Sequence, residues 1–322
     1  MRRINQQLIV KALLILSALL MAVVAAGCGA PAAQSPALGN DLVKGFDPAT
    51  QSGQYQRPLD SVPDSDATTI YFTATGPNGP GVFRVPAAGG AAMEIVTGAP
   101  FVEPVGIAIS SDSRQLYVAD PKASQIFVVP TAGGAPAALG GSQKTAPRGM
   151  DVVSEGGQDI VYFSGKDPGD GQAAVLKLPA AGGTPTVVAK GAPLTDPDGV
   201  TVTQAGVVYV ADRSAAGGGF GSVFKVQGGS VTKIVDRARV GDPAGVALTK
   251  DETVLLISAL QPDRDSDQVL LVNLGTLQTG SVTKVIEQNK TPGGLHRARN
   301  SNIFSWCGVT AGSSGTVFRV TL

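Results

Sequence analysis

Short apolar runs return along this chain at an almost constant interval. They read IYFTA at 70–74, LYVAD at 116–120, VYFSG at 161–165 and VYVAD at 208–212, with LLISA at 255–259 and IFSWC at 303–307 as weaker copies. With Tyr71, Tyr117, Tyr162, Tyr209, Leu256 and Phe304 as markers, the spacings are 46, 45, 47, 47 and 48 residues. About ten residues after each comes a second run: GVFRVP at 81, QIFVVP at 125, AVLKLP at 174, SVFKVQ at 222, QVLLVN at 268 and TVFRVT at 316. Both kinds are short, rich in β-branched and aromatic residues, and bounded by Gly, Pro, Asp and Ser, which predicts strands. Gly-Gly pairs at 89, 133, 182 and 228 follow, where a tight turn needs the positive φ that glycine adopts at low cost.

A Pro-x-Gly triplet precedes each marker run: Pro104-Val105-Gly106, Pro147-Arg148-Gly149, Pro197-Asp198-Gly199, Pro243-Ala244-Gly245 and Pro292-Gly293-Gly294, with Pro58 heading a degenerate first copy. Each repeat therefore predicts an inner strand from Pro-x-Gly, a second strand carrying the marker, a third carrying Phe or Leu, and a fourth after Gly-Gly, such as MEIVT at 93–97. Six such units of this length predict an all-β, six-bladed β-propeller of four-stranded antiparallel blades. The sixth copy ends on its third strand at Leu322. Its open edge is expected to be closed by a strand from the N-terminal side, near Asp41 to Phe46. The propeller is expected to span 42–322.

Composition changes this picture little: 42 Gly, 22 Pro and 5% aromatic residues suit an all-β repeat protein with many turns. The first residues add an address. Arg2, Arg3 and Lys11 flank an apolar stretch at 12–26 that ends in Ala25-Ala26-Gly27-Cys28, the layout of an export signal. This resembles the lipobox of bacterial lipoproteins, which implies cleavage after residue 27, acylation of Cys28 and a lipid anchor in the membrane. Residues 28–41 then read as a flexible tether, and the chain as extracytoplasmic. With Cys28 lipidated, Cys307 has no partner for a disulfide and reads as a small buried apolar residue. Removing Arg2, Arg3 and Lys11 from 25 basic residues leaves 22 against 25 acidic ones, a charge of about −3. No basic stripe is present, so nucleic acid is not a predicted partner. A monomer is expected.

In a propeller, the inter-blade loops and the loops between second and third strands open on one face. This sets Glu103, Asp196, Asp198 and Asp242 beside Asp120, Asp167, Asp170, Asp212, Asp263, Asp265 and Asp267. A rim of carboxylates invites a divalent cation such as calcium, which takes six to eight oxygen ligands. Asp is also a common turn residue whose side chain accepts local backbone N–H groups.

Pro-x-Gly followed by YVAD at 117–120 and 209–212 and then an Ile/Val-Phe run resembles the NHL-repeat group and the gluconolactonase-like (senescence marker protein) six-bladed propellers. The resemblance covers most of 58–322. It implies, in the lactonase branch, a channel metal held by an early Glu, two Asn and an Asp in a Pro-Asp-Gly stretch. Asp198 matches the last, Glu103 is a loose candidate for the first, and Arg148 stands where a neutral ligand belongs. Two residues beyond the motif glycine, Asp151 and His296 occupy equivalent positions on opposite blades. They could bracket a ligand, with the histidine as a base. A channel histidine is also a feature of virginiamycin B lyase, a likeness of fold and residue type. Two functions are therefore expected. One is a binding module whose rim, including Glu103, Arg148, Asp198 and Asp242, takes a small molecule, glycan or protein. The other is a metal-dependent lactonase-like hydrolase or lyase.

Overall fold

The computed structural model describes residues 45–51, 53–261, 266–282, 289–310 and 314–322. Cys28, the tether and the signal segment lie outside them, as do Asp263 and Asp265. Among the described residues there are strands and turns and no helix.

The strands group into six antiparallel sets of four. Sheet 1 comprises Ser61–Pro63, Thr69–Gly76, Gly79–Pro86 and Met93–Thr97; sheet 2 comprises Gly106–Ile109, Gln115–Asp120, Gln125–Pro130 and Ala137–Ala138. Sheet 3 holds Met150–Glu155, Gln158–Lys166, Ala173–Pro179 and Thr186–Lys190; sheet 4 holds Pro197–Val202, Val208–Gly217, Phe220–Gln227 and Ser230–Val240. Sheet 5 runs Val246–Leu248, Val254–Leu260, Asp267–Asn273 and Thr279–Val282. It is joined to sheet 4 where Arg239 and Val240 pair with Leu260 and Ala259. Sheet 6 takes Asn289–Arg297, Ile303–Thr310 and Gly315–Thr321. The inner strands pack on one another in sequence order, and the series closes where Asn289–Arg297 meets Ser61–Pro63. This is the radial arrangement of a β-propeller.

The fourth strand of sheet 6 is Gly45–Gln51, which pairs antiparallel with Gly315–Thr321 from Gly45↔Thr321 to Gln51↔Thr316. Closure by an N-terminal strand is therefore present; it shares Gly45 and Phe46 with the expected segment and continues to Gln51. Phe46 anchors it: the ring is buried and meets Trp306 edge-on at 5.8 Å between centroids, a contact that fixes this register.

Strand alternation explains why the marker runs are apolar throughout. Side chains on one strand point to opposite faces, and here both faces are covered by neighbouring sheets. Ile70 and Phe72 pack toward sheet 6 with Cys307 and Val317, whereas Tyr71 packs toward sheet 2 with Ile107 and Leu116. Likewise Val161 and Phe163 face sheet 2 while Tyr162 faces sheet 4. Each such side chain contributes roughly 1.5–3 kcal/mol when fully buried, so stability is spread around the ring. The register also corrects the sixth marker. Tyr162 pairs with Lys177 and Ser305 with Arg319, so Ser305 occupies the tyrosine position and Phe304 the one before it.

The motif glycines serve close approach between inner strands. A Cβ on Gly149 would lie 2.3 Å from the Asp198 carbonyl oxygen, and one on Gly199 2.3 Å from that of Ala244. In the Gly-Gly turns the backbone takes the predicted left-handed values, with φ of +87° at Gly182 and +140° at Gly183.

Candidate functional site

Two groups of polar residues lie on the axis, at opposite ends of the inner strands. At the end where those strands begin, sheets 3 and 4 and the loop into sheet 5 bring Arg148, Asp198, Asp242, Arg213 and Asp196 together. The Arg148 guanidinium lies 3.2 Å from both Asp198 oxygens and donates to Asp242 Oδ1 at 2.7 Å. Arg213 donates to Asp196 Oδ2 at 2.6 Å and also reaches Asp242 at 2.6 Å and Asp198 at 3.4 Å. The Ala244 N–H donates to Asp198 as well. Burial pushes the Asp198 carboxyl up, opposed by the charges of Arg148 and Arg213. Desolvation works against the Arg148 cation, and the carboxylates of Asp198, Asp242 and Asp196 outweigh it, so its pKa is raised. Guanidinium groups keep their charge in proteins, so both arginines of the cluster are cationic.

This placement revises the picture of an open carboxylate rim. Asp120 is buried and accepts the N–H groups of Val102, Glu103 and Ala123 at 2.7, 2.9 and 2.8 Å. Asp212 does the same for Thr195 and Asp196 at 2.7 and 2.9 Å. The YVAD aspartates thus fasten the inter-sheet loops to the second strand. Asp167 and Asp170 share Lys190, at 2.6 and 2.8 Å. Glu103 pairs with Lys122 at 3.0 Å, away from Asp198.

The residues at this end do not fit calcium. Asp198, the best candidate ligand, points its oxygens at two guanidiniums, and Glu103 faces an ammonium. A hard cation needs several converging oxygens free of competing positive charge. Among the described residues no three His, Cys, Asp or Glu side chains form a metal-binding set.

At the other end, where the inner strands finish, all six sheets line an axial cavity of about 70 Å³. Asp151, His296, Arg297, Arg299, Thr201 and Glu252 supply its polar wall. The expected pair is therefore brought to one cavity, Asp151 from sheet 3 and His296 from sheet 6. The direct partner of His296 is a residue that sequence reasoning missed. His296 Nε2 lies 3.1 Å from Asp60 Oδ2, and that carboxylate also accepts the N–H groups of Ser61 at 2.8 Å and Ile107 at 2.9 Å. Asp60 so joins sheets 6, 1 and 2. It stands in Pro58-Leu59-Asp60, at the place of the motif glycine, which was the signal available. Gly294 leaves the space, since a Cβ there would fall 1.6 Å from Asp60 Oδ1.

Burial opposes charge on His296, but the Asp60 carboxylate beside it, their hydrogen bond and the Asp151 carboxylate prevail. The imidazole pKa is raised above its ordinary value of 6.5. A protonated imidazole donates and attracts anions; it is a poor proton acceptor at neutral pH. Asp151 holds Val152 N–H, Val202 N–H and the Thr201 hydroxyl at 2.8, 2.9 and 3.0 Å. Cys307 is fully buried, and burial raises its thiol pKa, so it offers no thiolate.

No family model and no curated protein matches the chain. Solved structures do, at the level of fold. The aldose sugar dehydrogenase from Streptomyces coelicolor, in its PQQ-bound form, superposes with TM-score 0.62 at 13% identity, covering 87% of this chain and 97% of that one. A nidogen/laminin complex chain gives 0.61 at 15%, covering 76% and 86%. A catalytically inactive virginiamycin B lyase variant from Staphylococcus aureus with quinupristin gives 0.55 at 12%, covering 86% and 99%. These neighbours are β-propellers, and they include both a protein-binding module and enzymes.

Proposed function

We propose that this protein is an extracytoplasmic, lipid-anchored propeller that binds a small ligand without turning it over, with the axial cavity as the seat. The observation that carries this reading is the cavity itself, lined from all six sheets and furnished with His296, Arg297 and Arg299. Its histidine is engaged by Asp60 at 3.1 Å, and that carboxylate raises the imidazole pKa, which supports recognition over base catalysis. Arg148 and Arg213 occupy Asp196, Asp198 and Asp242, which supports moving the ligand seat from the rim to the opposite end of the axis. Anchoring rests on the lipobox-like Ala25-Ala26-Gly27-Cys28 sequence.

The competing function is a lactonase-like hydrolase dependent on a metal at Asp198. Two measurements separate them. The protein is assayed for hydrolysis of simple aldonolactones, and its melting temperature is followed as calcium is added to millimolar levels. The binding reading expects no turnover and unchanged melting. Lactone hydrolysis that requires calcium and disappears in Asp198→Asn would overturn it. Acyl labelling that is lost in Cys28→Ser tests the anchor.

A further inference from the structure

The two carboxylates in the wall of the axial cavity are tied to local donors: both Asp151 oxygens are engaged, as given above, and Glu252 Oε1 accepts the Gln204 N–H at 2.7 Å. Its guanidiniums are less fully used. Arg299 reaches across the axis from sheet 6 and gives one terminal nitrogen to the Val152 carbonyl at 3.3 Å. Its Nε is buried and has no hydrogen-bond partner among the described residues. Arg297 spends one terminal nitrogen on three carbonyls, those of Ala298, Arg299 and Ser301 at 2.7, 2.9 and 3.1 Å. Neither guanidinium is ion-paired with a carboxylate within 4.0 Å among the described residues. Arg297 is also under strain as a cation, since desolvation lowers its pKa and Arg299 adds to the effect, against the pull of Asp151.

We propose that this cavity binds the carboxylate head of a small organic acid, held by Arg299 and Arg297, with the His296 side chain on the same wall. A guanidinium that presents a buried, unmatched N–H beside a second guanidinium is complementary to a planar oxyanion, which accepts two parallel hydrogen bonds. The cavity of about 70 Å³ suits a head group of a few heavy atoms. The inference rests on the axial cavity being the ligand seat and assigns the chemistry of what sits there.

The test is calorimetric titration of the full chain at constant ionic strength with acetate, inorganic phosphate and the neutral isostere acetamide. Acetate is expected to saturate a single site, and acetamide to give no heat. Arg299→Gln should weaken acetate by roughly ten-fold or more through loss of a charge-assisted pair. Arg299→Lys, which keeps the charge but loses the fork, should fall between the two and serves if the glutamine variant does not fold. Silence with acetate, preference for phosphate, or unaltered acetate affinity in both Arg299 variants overturns the carboxylate assignment. Filling the cavity with Ala247→Leu separates the two levels of the argument. Acetamide binding that this variant abolishes removes the anion and leaves the seat, whereas acetate binding that it does not touch removes both.

Discussion

The contact with the most calculable consequence is the His296–Asp60 pair, because it fastens the last sheet to the first two and involves a group that titrates. The histidine side chain is 11% exposed and the aspartate 3%, so solvent screens the pair weakly. Replacing the histidine by Gln retains an N–H donor for Asp60 and removes the charge. Replacement by Ala removes both. A hydrogen bond to a charged group contributes about 1.5–3 kcal/mol and a neutral one about 0.5–1.5. Because Asp60 remains a carboxylate, the glutamine amide keeps a bond of the first kind and forfeits only the attraction between the two charges, about 1 kcal/mol, whereas the alanine change costs about 2–3 kcal/mol. Asp60 keeps the N–H groups of Ser61 and Ile107, which holds the loss below that of a fully orphaned carboxylate. For a domain of this size 1 kcal/mol shifts melting by roughly 2–4 °C. The sign follows from linkage: the folded-state pKa is raised above 6.5, so the contribution is complete below that value and fades as pH rises through the higher folded one. Melting of wild type and both variants by circular dichroism at pH 5.5 and pH 9 reads this directly. The glutamine deficit should be present at pH 5.5 and close toward pH 9, with part of the alanine deficit persisting. A glutamine deficit that stays constant or grows with pH would refute the charged pair.

Two further perturbations probe the closure and the ion cluster. Phe46→Ala should cost about 3 kcal/mol by emptying the pocket against Trp306, and a chain beginning after Gln51 should melt lower still; urea unfolding that matches wild type in both would exclude strand exchange. Arg148→Met leaves the fully buried Asp198 facing Arg213 alone and should cost roughly 3 kcal/mol, and combining it with Asp198→Asn should recover part of that loss. Strict additivity in the urea-derived energies would show that the two side chains are not coupled.

How much of this was legible beforehand depends on how local each feature is. The strands, their fourfold grouping and the turn glycines repeat every 44–49 residues and express themselves in short stretches, so periodicity exposed them. Even there, a single-residue slip assigned Phe304 to a position that pairing gives to Ser305, because the sixth copy has lost the tyrosine. The aspartates of YVAD were visible as loop residues, but whether they faced solvent or backbone depended on loop paths that no local pattern encodes. Asp60 was hidden for a different reason: its histidine partner lies 236 residues away in the chain. Only closure of the ring brings the two within a hydrogen bond.

By itself, then, the order of apolar and turn residues determined six antiparallel sheets that need one another for cover, since a strand apolar on both faces has no stable alternative to burial between neighbours. The tertiary structure decided which charges meet. It spent Asp196, Asp198 and Asp242 on Arg148 and Arg213 and the YVAD aspartates on loop N–H groups, and it left donors of Arg299 and Arg297 at the opposite end of the axis. Those outcomes depend on distances between side chains from different sheets, set by how the inner strands converge on the axis, and convergence is a property of the closed ring and of no single repeat.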